Sequence, residues 1–241
     1  MAKGVTAALS AGVTAFGFDP DPRTPANRAL QVLTVRRALP RADLEARERF
    51  SDAALRAVEE AGLSLGGRRQ GRAGRLHLVS VEDDPGRSRS VTAWYYMTVP
   101  FGETAGAAGW VAAGRALRLP AGDTSAFRAA LDRLRQDTRQ LAGAAALVGD
   151  VFTGDDLLRL HVALHGGPEG SERTFRRRIQ ELRDAGVLKP VRDSEVAALR
   201  LRVPRFRSPA GTGGRPPELL RYSGSGGEDE QLAALRARRA G

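Results

Sequence analysis

The stretch TFRRRIQELRDAGVL, from Thr174 to Leu188, decides the fold of the C-terminal half of this chain. At about 100° per residue, Phe175, Ile179 and Leu182 fall within one narrow arc, as expected for the buried side of a helix. The other side is polar and strongly cationic. The stretch therefore predicts an amphipathic helix over Ser171–Ala185 with one side facing a core and the other facing outward.

The outward side of this helix carries residue types that read DNA bases. Arginine can bond guanine O6 and N7 together, and glutamine can do the same for adenine N6 and N7. The side chains expected to contact DNA from this side are Arg173, Arg176, Arg177 and Gln180. Ser171 and Thr174, at the start of the helix, either cap it or bond phosphate.

The segments around this helix favour a winged helix-turn-helix. A first helix is predicted at Gly154–Leu164 and a turn at His165–Gly170. Apolar and basic residues alternate through Leu199–Val203, which predicts a strand. A loop rich in Pro, Gly and Arg follows at Pro204–Pro217, and Glu218–Tyr222 can pair back as a second strand. Helix, turn, helix and hairpin in this order are typical of a winged helix.

The predicted hairpin adds further cations to the candidate DNA contacts. These are Arg205, Arg207 and Arg215 in the loop, suited to phosphates or a minor groove, and Lys189 after the second helix. An arginine triplet on a helix is equally typical of an ordinary solvated surface, so the DNA-binding interpretation depends on the ordered elements around it. His161 and His165 are too isolated to suggest a metal site and are interpreted as a pair on the first helix.

The N-terminal half alternates between strand and helix patterns. Strands are predicted at Val5–Phe18, Ala29–Arg36, Gly74–Val81 and Ser88–Thr98, and helices at Arg47–Leu63 and Ser125–Ala142. Ser51 is the expected cap of the first helix and Gly62 its expected stop. Strands around an early helix predict a mixed α/β domain over residues 1–148, followed by the winged helix at 149–223 and a flexible tail at 224–241.

Composition limits the possible partners and chemistry. The formal net charge of +10 exceeds what solubility requires, so it favours a polyanion such as nucleic acid or an anionic membrane surface. The absence of cysteine excludes disulfides, thiol catalysis and cysteine-ligated zinc fingers. No apolar run approaches the length of a membrane span, and no convincing signal peptide is present. We therefore expect a cytoplasmic, nucleoid-associated protein with no membrane partner.

At this point the C-terminal half resembles the Nudix-related transcriptional regulators, bacterial proteins with an N-terminal Nudix-like domain and a C-terminal winged helix. The resemblance is carried by FTGDDLLRLHVALHG, RTFRRRIQELRDAGVLKPV and GGRPPELLRY, in the order and approximate spacing of the family. The family's Phe-Arg-Arg is similar to Phe175, Arg176 and Arg177. Its Gly-Arg-Pro wing is similar to the segment Gly214–Pro216.

The N-terminal half resembles the same family in ALQVLTVRRALP, LRAVEEAGL and AAGWVAAGRAL, but it departs from the catalytic pattern. Leu55 and Arg56 stand where the Nudix box has Arg and Glu, and only Glu59, Glu60 and Gly62 are retained. The Gly-Gly and Glu expected upstream are also missing. Nudix hydrolysis needs carboxylates that converge on divalent cations, and a guanidinium at a ligand position would repel them. The resemblance therefore implies a degenerate domain without catalytic residues or a metal site.

Together these features predict a homodimeric regulator, most simply a repressor, that binds a palindromic operator in double-stranded DNA. The resemblance implies no cofactor but a possible effector, ADP-ribose or a related nucleotide or sugar metabolite, with Arg56 as a candidate contact. Two other functions remain open from the sequence. One is an active Nudix hydrolase of nucleoside diphosphate derivatives, and the other is a nucleic-acid-binding protein without sequence preference.

Overall fold

The structure is a computed structural model that describes residues 7–63, 75–84, 89–100, 109–114, 117–139, 141–166, 172–203, 206 and 216–223. The chain divides into two compact units. The first is formed by the N-terminal segment through Asp19 and by Leu30–Gln136, and the second by Pro20–Ala29 and the chain from Asp137 onward. The second unit thus begins ahead of the predicted boundary near Gly149 and takes in a segment of the N-terminal half. No described helix is long and apolar enough to cross a membrane.

Strands and helices alternate in the first unit, whereas the second unit, which includes α1, is mostly helical. In chain order they are β1 (Ala8–Phe18), α1 (Ala26–Ala29), β2 (Leu30–Leu33), β3 (Arg41–Asp43), α2 (Phe50–Glu60), β4 (His77–Asp84), β5 (Ser90–Val99), β6 (Trp110–Ala112), α3 (Ala121–Asp137), α4 (Leu141–Val148), α5 (Gly154–His165), α6 (Glu172–Asp184), β7 (Leu188–Pro190), α7 (Asp193–Arg202) and β8 (Leu220–Tyr222).

The first unit is built on a six-stranded mixed sheet with the order β4-β5-β1-β2-β6, and β3 also pairs with β1. The β1 and β5 strands run parallel, with Ala8 opposite Ser90 and Gly17 opposite Val99, whereas the other pairings are antiparallel. This arrangement confirms the predicted mixed α/β fold. The three-residue strands β3 and β6 were not predicted because they are too short to show a period.

Small residues let the sheet and its helices approach closely. Ala11, Val13 and Ala15 of β1 lie in one buried cluster with Ala53, Ala54 and Val58 of α2. The neighbouring residue Gly12 faces the other side of the sheet, where a Cβ atom would overlap the ring of Trp94. Burying these apolar surfaces is the main force that holds α2 on the sheet.

The predicted caps of α2 are half right. Ser51 does not cap the helix: the N-cap residue is Arg49, and no side chain bonds the helix start there. The nearest acidic side chain, Glu48, instead accepts a hydrogen bond from the Glu45 backbone N–H at 2.9 Å. Gly62 does stand at the end of the helix, with a φ of 90° that favours glycine.

Helix α4 belongs to the second unit and was predicted as part of the preceding helix. The predicted helix Ser125–Ala142 is two helices, because α3 ends at Asp137 and α4 starts at Leu141. The next helix, α5, has a complete capping box. The Thr153 hydroxyl accepts from the Asp156 N–H at 3.1 Å, and the Asp156 carboxylate accepts from the Thr153 N–H at 2.8 Å.

The predicted strand at Leu199–Val203 is wrong, since Leu199 to Arg202 form the end of helix α7. Val196, Leu199 and Val203 lie at helical spacing and pack against one buried cluster, whereas Leu201 is exposed. This three- and four-residue spacing outweighs the short alternation of Leu and Arg. The strand β8 exists as predicted, but its partner is β7: Leu188 lies opposite Tyr222, and Pro190 lies opposite Leu220.

An arginine of α5 bonds the segment Pro20–Ala29 within the second unit. Arg159 of α5 donates from Nη2 to the backbone oxygens of Asp21 and Thr24, both at 2.6 Å. Most of this segment lies between the predicted strands Val5–Phe18 and Ala29–Arg36. The segment connects β1 to β2, so a connection between two strands of the first unit belongs to the second unit.

Candidate nucleic-acid interface

The helix α6 is amphipathic as the sequence predicted. Leu182 is buried, and Phe175 and Ile179 are half-buried. The ring of Phe175 lies 5.6 Å from the ring of His161 on α5. These contacts fix the rotation of α6 about its axis, and therefore they also fix which residues face outward.

All predicted base-contacting side chains of α6 that the structure describes lie on its outward side. The exposed residues are Arg173, Thr174, Arg176, Arg177 and Gln180. The end of the helix is held by an ion pair in which Arg183 Nη2 lies 2.8 Å from Glu218 Oε1, just before β8. The result is one cationic surface on a helix whose other side is packed.

The exposed arginines of this surface pair with acids of α6 and α5. Arg176 donates from Nη2 to Glu172 Oε1 at 2.7 Å and lies 3.4 Å from Asp155 Oδ1, which raises its pKa, chiefly through the Glu172 bond. Arg177 Nε lies 3.9 Å from Glu181 Oε1. Exposed pairs of this kind are worth about 0–1 kcal/mol each. A phosphate or a base edge can therefore replace the acidic partner at small cost.

Arg173 and Gln180 differ in their contacts from Arg176 and Arg177. Arg173 makes no ion pair or hydrogen bond with any residue that the structure describes. The Gln180 amide is already oriented, because its Nε2 donates to Asp184 Oδ1 at 2.7 Å and its Oε1 accepts from Arg183 Nη1 at 3.1 Å. The amide nitrogen carries two donor hydrogens, and the bond to Asp184 uses one of them.

The β7–β8 ladder adds cations that belong to the same unit. Lys189 is exposed on β7, and its direct cross-strand neighbour is Arg221 on β8. Arg221 Nη2 lies 2.9 Å from Glu195 Oε2 of α7. The sequence reading missed Arg221 because it assigned the wrong partner to this strand. The predicted contacts Ser171, Arg205, Arg207 and Arg215 lie outside the described residues.

Three solved structures have the same fold as this chain. Shewanella oneidensis NrtR in complex with a 27mer DNA matches with 19% sequence identity over 93% of this chain and 95% of that chain, at a TM-score of 0.61. This chain has the fold of the Nudix-related transcriptional regulators. A second structure of S. oneidensis NrtR matches with 18% identity over 89% of this chain and 93% of that one, at a TM-score of 0.57.

The likeness also extends to a Nudix protein of another kind. A MutT/nudix family protein from Enterococcus faecalis matches with 12% identity over 92% of this chain and 88% of that chain, at a TM-score of 0.56. No family model and no curated protein matches the sequence. The likeness to these solved structures is thus a likeness of fold at low sequence identity.

In this Nudix-related fold, Arg56 of α2 lies among acidic groups. Its Nη2 donates to Glu48 Oε2 at 2.8 Å and to the Asp43 backbone oxygen at 2.7 Å, and its Nε donates to Glu48 Oε1 at 3.1 Å. Its Nη1 donates to Glu60 Oε1 at 3.2 Å, and Glu45 Oε1 lies 3.7 Å from Nε. The sequence reading identified Arg56 but missed Glu45 and Glu48, which precede the helix in LEARERF.

The electrostatics of this cluster are mutual. The hydrogen bond from Arg56 holds the pKa of Glu48 below its usual value, and Glu48 in turn raises the pKa of Arg56. The guanidinium thus occupies the space between carboxylates with a permanent positive charge. Among the described residues, no group of three or more acidic or histidine side chains is spaced to hold a metal ion.

Proposed function

We propose that this chain is a sequence-specific DNA-binding transcriptional regulator that reads base edges with α6. The observation that carries the proposal is the exposure of Arg173, Arg176, Arg177 and Gln180 on one side of a helix whose other side is packed. A helix of this kind fits a major groove, where paired donors distinguish guanine and adenine from the other bases.

The order of elements in the second unit supports a winged helix. The helices α4, α5 and α6 come first, and β7 and β8 then form an antiparallel ladder. Phe152, just before α5, forms an antiparallel bridge to Leu220 of β8, which adds a third strand position beside the ladder. The wing is the connection from β7 to β8. It includes α7 and the predicted phosphate contacts Arg205, Arg207 and Arg215.

Charge and fold likeness support the same partner. The formal net charge of +10 favours a polyanion, and the neighbour with a TM-score of 0.61 was crystallised with DNA. These observations favour DNA over an anionic membrane surface, since a membrane surface would not need an ordered row of base-reading side chains.

The first unit is proposed as a non-catalytic regulatory and dimerisation module. Arg56 fills the space between Glu48 and Glu60 that a catalytic cation would require, so hydrolysis of a diphosphate link is not expected. Control by ADP-ribose or a related nucleotide or sugar metabolite is part of the proposal. Arg56 as its contact stays a prediction, and such a ligand would have to displace carboxylates that already bond the guanidinium.

A two-fold dimer and a palindromic operator complete the proposal. One winged helix with a few arginine contacts buries too little surface for strong specificity, and two copies on one side of the duplex solve this. Half-site centres should then be separated by about 10 base pairs or a multiple of that. Repression, in which the regulator blocks transcription by binding the operator, is the simplest mode of action.

The test is a selection of binding duplexes from a random pool with the full chain. The proposal expects an enriched inverted repeat that resists competition by an excess of unrelated duplex, and a dimer in sedimentation. A pool that stays random, or equal competition by any duplex, would show a nucleic-acid-binding protein without sequence preference. A single asymmetric site on a monomeric protein would remove the dimer model.

The hydrolase alternative is tested separately. The purified chain is incubated with ADP-ribose and magnesium or manganese, and no turnover is expected. Metal-dependent turnover that is abolished by Glu59→Gln or Glu60→Gln would restore the enzyme interpretation.

A further inference from the structure

The second unit contains a cleft of about 430 Å³ between α5 and α6, with the turn after α3 and the middle of α4 at its side. This volume lies in the range of small-molecule sites, which are about 300–1,000 Å³. Its apolar lining comes mainly from Leu157, Leu160, Leu164, Ile179 and Leu182. The cleft can therefore bind an apolar molecule of moderate size.

Aromatic rings lie in the same cleft. The rings of His161 and His165, one turn apart on α5, are 4.7 Å apart, and the ring of Phe175 on α6 lies 5.6 Å from His161. Rings at these separations can accept a further planar group in an offset or edge-to-face arrangement. The shape and chemistry of this part of the lining favour an aromatic ligand over an aliphatic one.

The charged residues of the lining are mostly of one sign. Arg139, Arg177 and Arg178 contribute three guanidinium groups, whereas Glu181 is the one acidic residue among the described lining residues. Glu181 lies 3.9 Å from Arg177. An apolar cleft with excess positive charge is complementary to an apolar molecule that carries an acidic group.

We propose that this cleft binds a small aromatic anion, with its ring against His161 and Phe175 and its acidic group towards the arginines. The site is separate from the Nudix-like first unit, because all of its lining residues belong to the second unit. Phe175, Ile179 and Leu182 are also the packed side of α6, so an occupied cleft constrains the helix that carries the DNA contacts. This consequence for DNA binding rests on the proposed function, whereas the binding site itself does not.

The binding test uses the full chain and 8-anilinonaphthalene-1-sulfonate, a fluorescent aromatic anion. We expect saturable binding of one probe per chain. The neutral analogue N-phenyl-1-naphthylamine should bind about tenfold more weakly, because it lacks the charge-assisted bonds. Equal affinity for the two probes, or fluorescence that rises without saturation, would overturn the proposal.

Two substitutions locate the probe. Arg139→Glu, at an exposed residue of the cleft, should weaken the anion about tenfold and leave the neutral probe unaffected. Arg128→Glu is the matched control, since it makes the same charge change at an exposed residue of α3 in the first unit. Ile179→Trp, which fills the cleft, should abolish binding of both probes. Equal effects of the two Arg variants would overturn the assignment.

A second measurement uses the native chain, so it does not depend on whether a substituted protein folds. The chain has three histidines, of which His77 is in the first unit and stacks on Tyr96 with ring centroids 4.9 Å apart. In a proton NMR titration, ring resonances of His161 and His165 should shift with the same midpoint as the fluorescence, whereas those of His77 should not. Shifts at His77 alone, or at none of the three, would contradict the site. Because no DNA is present, this result is independent of the proposed function.

Discussion

Two arginine-bearing helices of this chain use the same side chain in opposite ways. In α2, Arg56 is surrounded by acceptors from three different parts of the chain: Asp43, Glu48 and Glu60. In α6, Arg176 and Arg177 pair chiefly with acids of their own helix, and all of these arginine side chains are well exposed. The first environment fixes a cation in place, and the second leaves cations available to a larger anion.

The surroundings of an arginine therefore decide its role. The side chain of Arg56 is 30% exposed and that of its partner Glu48 is 14% exposed, whereas the side chains of Arg176 and Arg177 are 64% and 74% exposed. Solvent screens the exposed pairs, and a polyanion can replace them.

The largest effect is expected on DNA affinity from the outward side of α6. Arg177→Ala or Arg176→Ala should each weaken binding to the selected duplex by about 1–3 kcal/mol if the residue bonds a base, and should leave Tm unchanged. The matched control is Arg128→Ala, which removes the same charge from an exposed position on α3. A gel-shift titration in which the control weakens binding as much as the α6 variants would mean that only net charge matters.

A smaller and less selective effect is expected from the ladder and the wing. Lys189→Ala or Arg215→Ala should weaken all duplexes similarly and lower the slope of log K against log salt by about 1, as expected for a phosphate contact. The slope is measured by titrations at several salt concentrations. If Lys189→Ala changed sequence preference and not salt dependence, the ladder would be reading bases.

In the α2 cluster the expected effect is on stability. Arg56→Met should lower Tm by a few degrees, because it leaves the carboxylates of Glu48 and Glu60 close together without their cation. Arg56→Lys should recover part of this loss, since it restores the charge without the paired geometry. Neither variant should weaken DNA binding as much as Arg176→Ala or Arg177→Ala. An Arg56→Met protein with unchanged Tm would show that the cluster has no structural role.

The smallest effect is a pH dependence of the same cluster. Because Arg56 lowers the pKa of Glu48 in the folded chain, this pair contributes stability above the ordinary Glu value near 4.5. The contribution is lost as the pH falls through the lower, folded-state pKa. The Tm difference between the native chain and Arg56→Met should therefore be full at pH 6–7 and shrink towards pH 3, as a thermal melt series can measure. A difference that grows on acidification would reverse the assignment.

The sequence predicted the elements that are long enough to repeat their apolar pattern. The strands β1 and β5, the helix α2 and the packed side of α6 agree with the structure, because each repeats its apolar pattern over several residues. The resemblance to Nudix-related regulators agrees with the fold of the NrtR structures. These successes include the helix on which the candidate site depends.

What the sequence did not predict depends on contacts between distant residues. Helix α7 was misread because LRLRV alternates, although Val196, Leu199 and Val203 pack at helical spacing. The correct partner of β8 is a three-residue strand without any period of its own. The neighbours of Arg56 come from a segment up to thirteen residues away, so their convergence is a property of the fold.

The most direct test of the central claim is to repeat the duplex selection with Arg177→Ala. If α6 reads base edges, the variant should lose preference at one position in each half-site and keep the rest of the inverted repeat, since phosphate contacts still set the register. An unchanged consensus with uniformly weaker binding would contradict the claim, because Arg177 would then serve only as a charge.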